Sequence, residues 1–322
     1  MSNNQGSLGY QMVKVLKTIF QPGGSRFEDK KHHRENGVIR GIGTMQTYSA
    51  DAHHFARFIR SQWPEVKYLN QVTPGMSQAY VAELVRRERV GGYIGHICSM
   101  IRKLDFACRK NGIFPMDAPR LLPYKAEGGP GGFHSAPRPL AYSPLDAHKI
   151  IDTIKPIDPI VARLLTLMVA SGLRVTEASY LRAQDIDIAN GKVNLNLIGN
   201  TNRTKGGRPR QVDFLPDYTD FMAALRKMGE VSPTGHIFHD RRSLPDRARQ
   251  QVFKACQELD INCLGTHGFR KKFAVATYHN FRAGGASDQQ SLLETSHQLG
   301  HNRTDVTRQS YVSSEERVKE DQ

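Results

Sequence analysis

The stretch DAPRLLPYKAEGGPGGFHSAPRPLAYSP, residues 117–144, constrains the fold more than any other part of the chain. It holds six prolines and four glycines. Proline fixes φ and lacks an N–H donor, and glycine increases the entropy that is lost when the backbone is ordered, so no regular element continues through this stretch. We therefore expect the chain to fold as two units, with a boundary near residues 135–140.

Helical periodicity dominates on both sides of this stretch. Before it, apolar residues recur at helical spacing in four segments, near residues 8–20, 44–63, 75–88 and 92–110. After it, the same pattern predicts helices near residues 145–153, 158–171, 217–228, 246–259, 268–282 and 288–299. Between these helices, GKVNLNLIGN and QVDFLP flank the basic turn NRTKGGRPR, a pattern typical of a β-hairpin. The expected fold class is mainly α with a small antiparallel β-sheet.

The charge of the chain indicates the class of partner. Lys and Arg number 45 against 31 Asp and Glu, which gives a formal net charge of +14. A polyanion such as nucleic acid suits this excess because each phosphate contact releases counterions, and an anionic membrane surface is the rival. No apolar run approaches the roughly 20 residues that span a bilayer. The N-terminal MSNNQGSLGY lacks signal-peptide features, and the four cysteines form no C-x-x-C pair. We expect a cytoplasmic protein with reduced thiols and no membrane partner.

Two basic segments carry the first candidates for chemistry. In SGLRVTEASYLR, Thr176 is the predicted N-cap of a helix, Glu177 suits its first turn, and Arg174 stands just before it. A guanidinium beside free backbone N–H groups makes an anion site, although a solvated Arg beside an ordinary cap fits the same pattern. In TKGGRPR, either the three cations Lys205, Arg208 and Arg210 track a DNA backbone, or Lys205 is a proton donor whose pKa neighbouring cations lower.

Two further segments add imidazole and phenol groups. His267 and Arg270 of THGFRKKFA are three residues apart and share one face of a predicted helix, where His267 is either structural or functional. In LGHNRTDVTRQSYV, we expect Gly300 to end a helix in the left-handed conformation and to hold His301 in a kink. Tyr311 comes ten residues later, either as a packed aromatic or as part of a reaction centre.

In this order, the motifs resemble those of the tyrosine recombinases, also called the phage integrase family. The matching motifs cover about residues 140–315, and they are S-G-L-R-x-x-E, a turn lysine, H-x-x-R, L-G-H and a terminal tyrosine. A weaker likeness extends to residues 40–115. The resemblance implies a two-domain recombinase fold. Its expected parts are an N-terminal helix and arm at 1–43, an α-helical core-binding domain at 44–116, a linker at 117–143 and a catalytic domain with a C-terminal tail at 144–322.

The resemblance also implies roles for individual residues. Glu177 would order its neighbours, Lys205 would protonate the leaving 5′ oxygen, and Tyr311 would be the nucleophile. The residues that would contact the scissile phosphate are Arg174, His267, Arg270 and His301. Two arginines provide bidentate donors to phosphate oxygens, so charge stabilisation needs no metal, and a base or a positive field is needed to ionise a tyrosine of pKa about 10.

The same resemblance implies the partners. The expected substrate is double-stranded DNA with an inverted-repeat core site, cut and rejoined through a 3′-phosphotyrosyl intermediate and a Holliday junction by a homo-tetramer. Accessory DNA-bending proteins are possible partners, no cofactor or metal is expected, and the DNA-bound protein would belong to a bacterial nucleoid. Further DNA-binding candidates are Arg203, Arg208, Arg210 and Lys271.

Several alternatives remain open at this level. The interval from His301 to Tyr311 is ten residues, one more than in many family members, and an extra helical residue rotates the side chains beyond it by about 100°. Tyr278 is therefore a second candidate for the nucleophile, and His297 for the role of His301. An inactive DNA-binding or architectural protein on this fold, or a relaxing enzyme like the type IB topoisomerases, shares the same motifs. A metal nuclease with Asp185 and Asp187 as ligands is the least favoured alternative, because this pair in QDIDI fits a turn and a strand entry better.

Overall fold

The computed structural model describes residues 6–23, 37–122, 141–196, 204, 209–301 and 304–312. The chain divides into two compact units, Met1–Ala136 and Pro137–Gln322, and each has a hydrophobic core of its own. Both are mainly helical, and the second also holds a three-stranded antiparallel sheet. The expected fold class is confirmed.

The first unit is a bundle of helices. Their bounds are α1 Leu8–Thr18, α2 Ile42–Gln62, α3 Pro74–Arg86 and α4 Gly91–Lys110. Side-chain caps set two of the starts: the Ser7 hydroxyl accepts from the N–H of Tyr10, and the Thr73 hydroxyl accepts from the N–H of Met76. The apolar faces of these helices meet in one core, which supplies most of the stability of the unit.

Helix α1 is an integral part of this bundle. Its residues Leu8, Met12 and Leu16 are buried in the core that the other three helices share. The apolar face of the predicted N-terminal helix is thus covered within its own unit. The start of the proline-rich stretch is also packed here, because Leu121 is buried and its N–H donates to Asp105 at 3.1 Å.

Helix α6 lies in the core of the second unit, and almost every face of this helix is apolar. Its helices are α5 Pro144–Ile154, α6 Pro159–Ser171, α7 Val175–Ser179, α8 Thr219–Glu230, α9 Leu244–Glu258, α10 His267–Ala283, α11 Asp288–Gln298 and α12 Thr304–Ser310. Nine of the thirteen residues of α6 are buried, so this helix is a core element and not a surface one. None of the helices in the described ranges has the length and apolar composition of a bilayer span.

The sheet of the second unit is a short meander. Its strands are β1 Ile186–Asp187, β2 Lys192–Leu195 and β3 Arg210–Asp213, in the order β1-β2-β3. Val193 pairs with Val212, and both are fully buried, so the apolar alternation of the two predicted strands faces the core. The predicted turn between β2 and β3 lies mostly outside the described residues, and with it Lys205, Arg203 and Arg208.

Candidate active site

The second unit brings together residues that lie far apart in the sequence. Arg174 and Glu177 stand at the start of α7, His267 and Arg270 in the first turn of α10, and His301 between α11 and α12. Tyr311 directly follows α12. Contacts among these side chains form one continuous cluster, with the phenol of Tyr311 at its centre.

The hydroxyl of Tyr311 is hydrogen-bonded to an imidazole. Its oxygen lies 2.8 Å from Nε2 of His267, and its ring centroid lies 4.7 Å from that of His301. A neutral imidazole with its proton on Nδ1 accepts this bond from the phenol. Tyr311 is 5% exposed, so its hydroxyl is held among protein groups. The arrangement pairs a phenol O–H with an imidazole nitrogen at hydrogen-bond distance.

Cations border the same phenol ring. The guanidinium carbon of Arg270 and Nζ of Lys271 each lie 5.9 Å from its centroid. Arg270 is completely buried, and its two terminal nitrogens donate to the carbonyls of Gly172 and Leu299. These two bonds fix the guanidinium plane by the backbone of two different loops, so its charge has a defined position relative to Tyr311.

A buried carboxylate joins the arginines. Glu177 is fully buried; its Oε2 accepts from the backbone N–H of Arg174 at 2.8 Å, and its Oε1 from NH1 of Arg174 at 2.7 Å. Arg210 NH2 donates to Oε2 at 2.8 Å, and Arg270 NH1 lies 4.0 Å from the same oxygen. Burial raises the pKa of Glu177, but the charges of Arg210, Arg174 and Arg270 outweigh burial and hold the pKa below its usual value. The carboxylate is therefore charged and organises the surrounding guanidinium groups.

Two sequence expectations differ from this geometry. Thr176 is not the N-cap: α7 begins at Val175, Arg174 is the N-cap, and the Glu177 carboxylate at the third helical position accepts from the backbone N–H of Arg174. Arg210, expected to track a DNA backbone, is 11% exposed and bonded to Glu177. It lies two residues before the buried Val212 on β3, and the two-residue period of a strand is the signal that identifies an inward-facing Arg210.

Both imidazoles of the cluster are poor proton acceptors in the free protein. His267 as a whole residue is exposed, but protein groups surround its ring and remove part of the water around it. This burial, together with the charges of Arg270, Lys271 and Arg174, lowers the pKa of His267 to about 4. Burial and then the charge of Arg270 lower the pKa of His301 to about 3. Both rings are neutral near pH 7, so the positive field of the cluster comes from its arginines.

Two glycines allow the loops to approach one another. Gly172 ends α6 at φ +60°, and a Cβ there would lie 2.2 Å from the ring of Phe273. Gly300 has φ +65°, as expected, and a Cβ there would lie 2.8 Å from NH1 of Arg210. L side chains rarely adopt these φ values, so glycine serves both the turn and the close packing. The N–H of His301 then donates to the carbonyl of Ser296 at 2.9 Å, which holds the imidazole beside Tyr311.

The alternative candidates lie away from this cluster. Tyr278 is buried in α10, and its hydroxyl donates to Asp288 at 2.8 Å. His297 is exposed beside Glu294. With the interval of ten residues, Tyr311 still lies against His267 and His301.

The acidic pair of QDIDI has structural partners. Asp185 accepts from the N–H of Arg182 at 2.9 Å, and Asp187 accepts from the N–H of Asn190 at 3.1 Å. Throughout the part of the chain that the structure describes, no three His, Cys, Asp or Glu side chains are grouped as metal ligands would be.

Comparisons with known proteins give consistent matches. The model of the phage integrase family matches residues 144–317, which is more than half of the 322 residues. The tyrosine recombinase XerC of Halalkalibacterium halodurans is 25% identical over 249 residues, which cover 74% of this chain and 78% of the relative. The tyrosine recombinase XerD of Vibrio vulnificus is 25% identical over 229 residues, which cover 66% and 70%.

Solved structures share the fold. A post-cleavage complex of XerH recombinase bound to a palindromic difH substrate has a TM-score of 0.65 at 13% identity, covering 98% of this chain and 93% of that one. A lambda integrase dimer bound to a COC′ core site has a TM-score of 0.60 at 16% identity, covering 90% and 74%. At these identities the likeness concerns the fold of the chain.

Proposed function

Because this chain belongs to the phage integrase family, we propose that it is a tyrosine-type site-specific DNA recombinase that cuts and rejoins strands through a 3′-phosphotyrosyl intermediate. The observation that carries the proposal is the hydrogen bond between the Tyr311 hydroxyl and Nε2 of His267, beside a fixed guanidinium of Arg270. A nucleophile, a base and a positive field are the parts that phosphoryl transfer requires.

In the proposed reaction, Tyr311 attacks the scissile phosphorus. A bond forms between the phenol oxygen and phosphorus, the bond from phosphorus to the 5′ oxygen breaks, and the phenol proton passes to His267. Lys205, by resemblance to the family, gives a proton to the departing 5′ oxygen. The 5′ hydroxyl of another strand then attacks the phosphotyrosine and passes its proton to Lys205. The bond from phosphorus to the phenol oxygen breaks, and His267 returns its proton to Tyr311. One phosphodiester replaces another, so the balance needs no ATP.

The arginines supply the electrostatic part of the mechanism. Negative charge accumulates on the non-bridging oxygens of the transition state, and Arg174, Arg270 and His301 are proposed to donate to them. The pKa of His267 near 4 describes the free site. A bound phosphate adds negative charge beside the ring and raises that pKa, so the imidazole becomes a better base when substrate is present.

DNA is the proposed substrate for a second reason, the net charge of +14. We propose that the first unit, as a core-binding domain, and Lys271 contribute DNA contacts. We further propose that a homo-tetramer on two inverted-repeat core sites exchanges strands through a Holliday junction. Accessory DNA-bending proteins would assist this exchange, and the reaction would take place in a bacterial cytoplasm. The complexes of XerH with a palindromic difH substrate and of lambda integrase with a COC′ core site support DNA as the substrate.

A suicide substrate tests the proposal. The DNA that flanks the coding sequence is searched for inverted repeats around a short spacer, and a duplex of this site carries a nick beside the cleavage point so that the released fragment diffuses away. We expect an SDS-resistant protein–DNA adduct in full yield with EDTA present. Binding without an adduct would support an inactive architectural protein instead. Relaxation of supercoils by a monomer, without recombinant products, would support a topoisomerase-like enzyme.

A further inference from the structure

We propose that Arg210 is a positioning residue for the reaction, which keeps Glu177 from withdrawing Arg174 from the scissile phosphate; this inference rests on the proposed function. Arg210 begins β3 and follows Lys205 by five residues in the sequence. It links this strand to α7 through Glu177, and to the turn before His301 through its contact with Gly300.

The geometry of Arg210 argues against a contact with DNA. Its NH2 and NH1 atoms are directed at Glu177, at 2.8 Å from Oε2 and 3.2 Å from Oε1. The side chain is 11% exposed, and the backbone of Gly300 packs directly against its guanidinium. A residue that tracks a DNA backbone needs its donors in solvent, and these two donors face a buried carboxylate.

Glu177 needs a second strong partner because a buried carboxylate is stable only when its oxygens are well paired. Arg174 gives it the backbone N–H and NH1, and the nearest nitrogen of Arg270 is 4.0 Å away. Arg210 supplies the remaining donors. Without Arg210, the most accessible compensation is a fork–fork pair in which Arg174 turns more of its guanidinium toward Glu177. That movement removes donors from the substrate side, so the loss of Arg210 acts through Arg174.

The first test compares R210M with wild type and with R249M. Arg249 is a matched control, because its side chain is 53% exposed on α9 and pairs with Asp246 outside the site. We expect R210M to slow single-turnover adduct formation about 100-fold, the cost of a misplacement of about 1 Å in a reacting group. The dissociation constant for DNA and its salt dependence should match those of R249M. We expect R210K to recover little, since an ammonium cannot form the fork.

Weaker DNA binding by R210M than by R249M, with a salt slope lower by about one, would instead identify Arg210 as a phosphate contact and overturn the proposal. Adduct formation by R210M at the wild-type rate would overturn it too. If R210M does not fold because Glu177 is left unpaired, E177Q/R210M replaces it, since this double variant leaves no unpaired carboxylate in the interior. Its cleavage rate should equal that of E177Q; a further loss from R210M would contradict action through Glu177.

A readout without DNA cleavage separates this proposal from the recombinase proposal. The ¹⁵N NMR signal of the Arg174 Nε–H group should shift or broaden in R210M and remain unchanged in R249M, and it should be the same in E177Q and E177Q/R210M. Absence of any adduct with wild-type protein would refute the recombinase function alone. An unchanged Arg174 signal would refute the role of Arg210, whatever the activity of the wild type.

Discussion

At the residue scale, the contact that matters most for the proposed reaction joins the phenol of Tyr311 to the imidazole of His267. The 2.8 Å hydrogen bond joins residues 44 positions apart. A packed structural tyrosine in the same unit, Tyr278, has a carboxylate partner instead. The two tyrosines therefore offer a direct comparison between a proposed nucleophile and a core residue.

We expect Tyr311→Phe to abolish the covalent adduct and to leave DNA affinity within about 2-fold, because the ring and its packing remain while the attacking oxygen is lost. Adduct yield on the nicked duplex and a binding titration measure the two effects. Tyr278→Phe is the control: it should lower the free energy of unfolding by about 1 kcal/mol and still form adduct. An adduct formed by Tyr311→Phe would contradict the assignment of the nucleophile.

The pKa of His301 near 3 predicts how stability depends on pH. An unfolded histidine binds a proton below about pH 6.5, while folded His301 does not, so acid favours the unfolded state. The stabilising contribution of neutral His301 is complete above about pH 6.5 and is lost progressively as the pH falls toward about 3. We expect His301→Asn to reduce the fall in Tm between pH 7 and pH 5.

Thermal unfolding at several pH values measures this difference. The exposed His297 provides the control, and His297→Asn should leave the slope of Tm against pH as it is in the wild type. Equal slopes for the His301→Asn variant and the wild type would contradict a neutral, desolvated His301.

At the element scale, the turn between α11 and α12 decides where His301 and Tyr311 lie. Gly300 combines φ +65° with packing against Arg210. Gly191, in the turn between β1 and β2, has φ +64° but open space where a Cβ would lie. The two glycines share the backbone strain of a substitution and differ in the steric contact.

We expect Gly191→Ala to lower the free energy of unfolding by about 1 kcal/mol, the cost of a left-handed φ for alanine. Gly300→Ala should cost more and should slow adduct formation at least about 10-fold, because the new methyl group displaces the guanidinium that holds Glu177. Denaturant unfolding and single-turnover cleavage measure both effects. Equal losses in the two variants would show that the approach of Arg210 to Gly300 has no consequence.

Element prediction succeeded where a pattern repeats over several turns. The helices near 8–20, 44–63 and 268–282 were expected within a few residues of α1, α2 and α10. For strand β1 the sequence indicated only a strand entry at QDIDI, because two residues are too short for an alternating pattern. The start of helix α7 was expected too late, after Thr176. The actual N-cap is Arg174, which is not a typical N-cap residue, and its N–H is bonded to the side chain of Glu177 three residues later.

At the scale of the whole molecule, two units with separate cores carry a net charge of +14. We expect the affinity for duplex DNA to fall at least about 100-fold between about 50 and 200 mM salt, as about four phosphate contacts require. Binding titrations across this range measure the slope. A slope near zero would contradict recognition of the DNA backbone and would leave the basic excess without the partner proposed for it.

Proline content and periodicity are local properties, so the amino-acid sequence alone predicts the division into two units, the helical character of both and the segments that hold each candidate side chain. The contact of Tyr311 with His267 and the inward turn of Arg210 to Glu177, 33 residues away, emerge from the packing alone. Such pairs depend on how distant helices and strands pack. A buried carboxylate can bind guanidinium groups from distant parts of the chain only after the fold has brought them within hydrogen-bond distance.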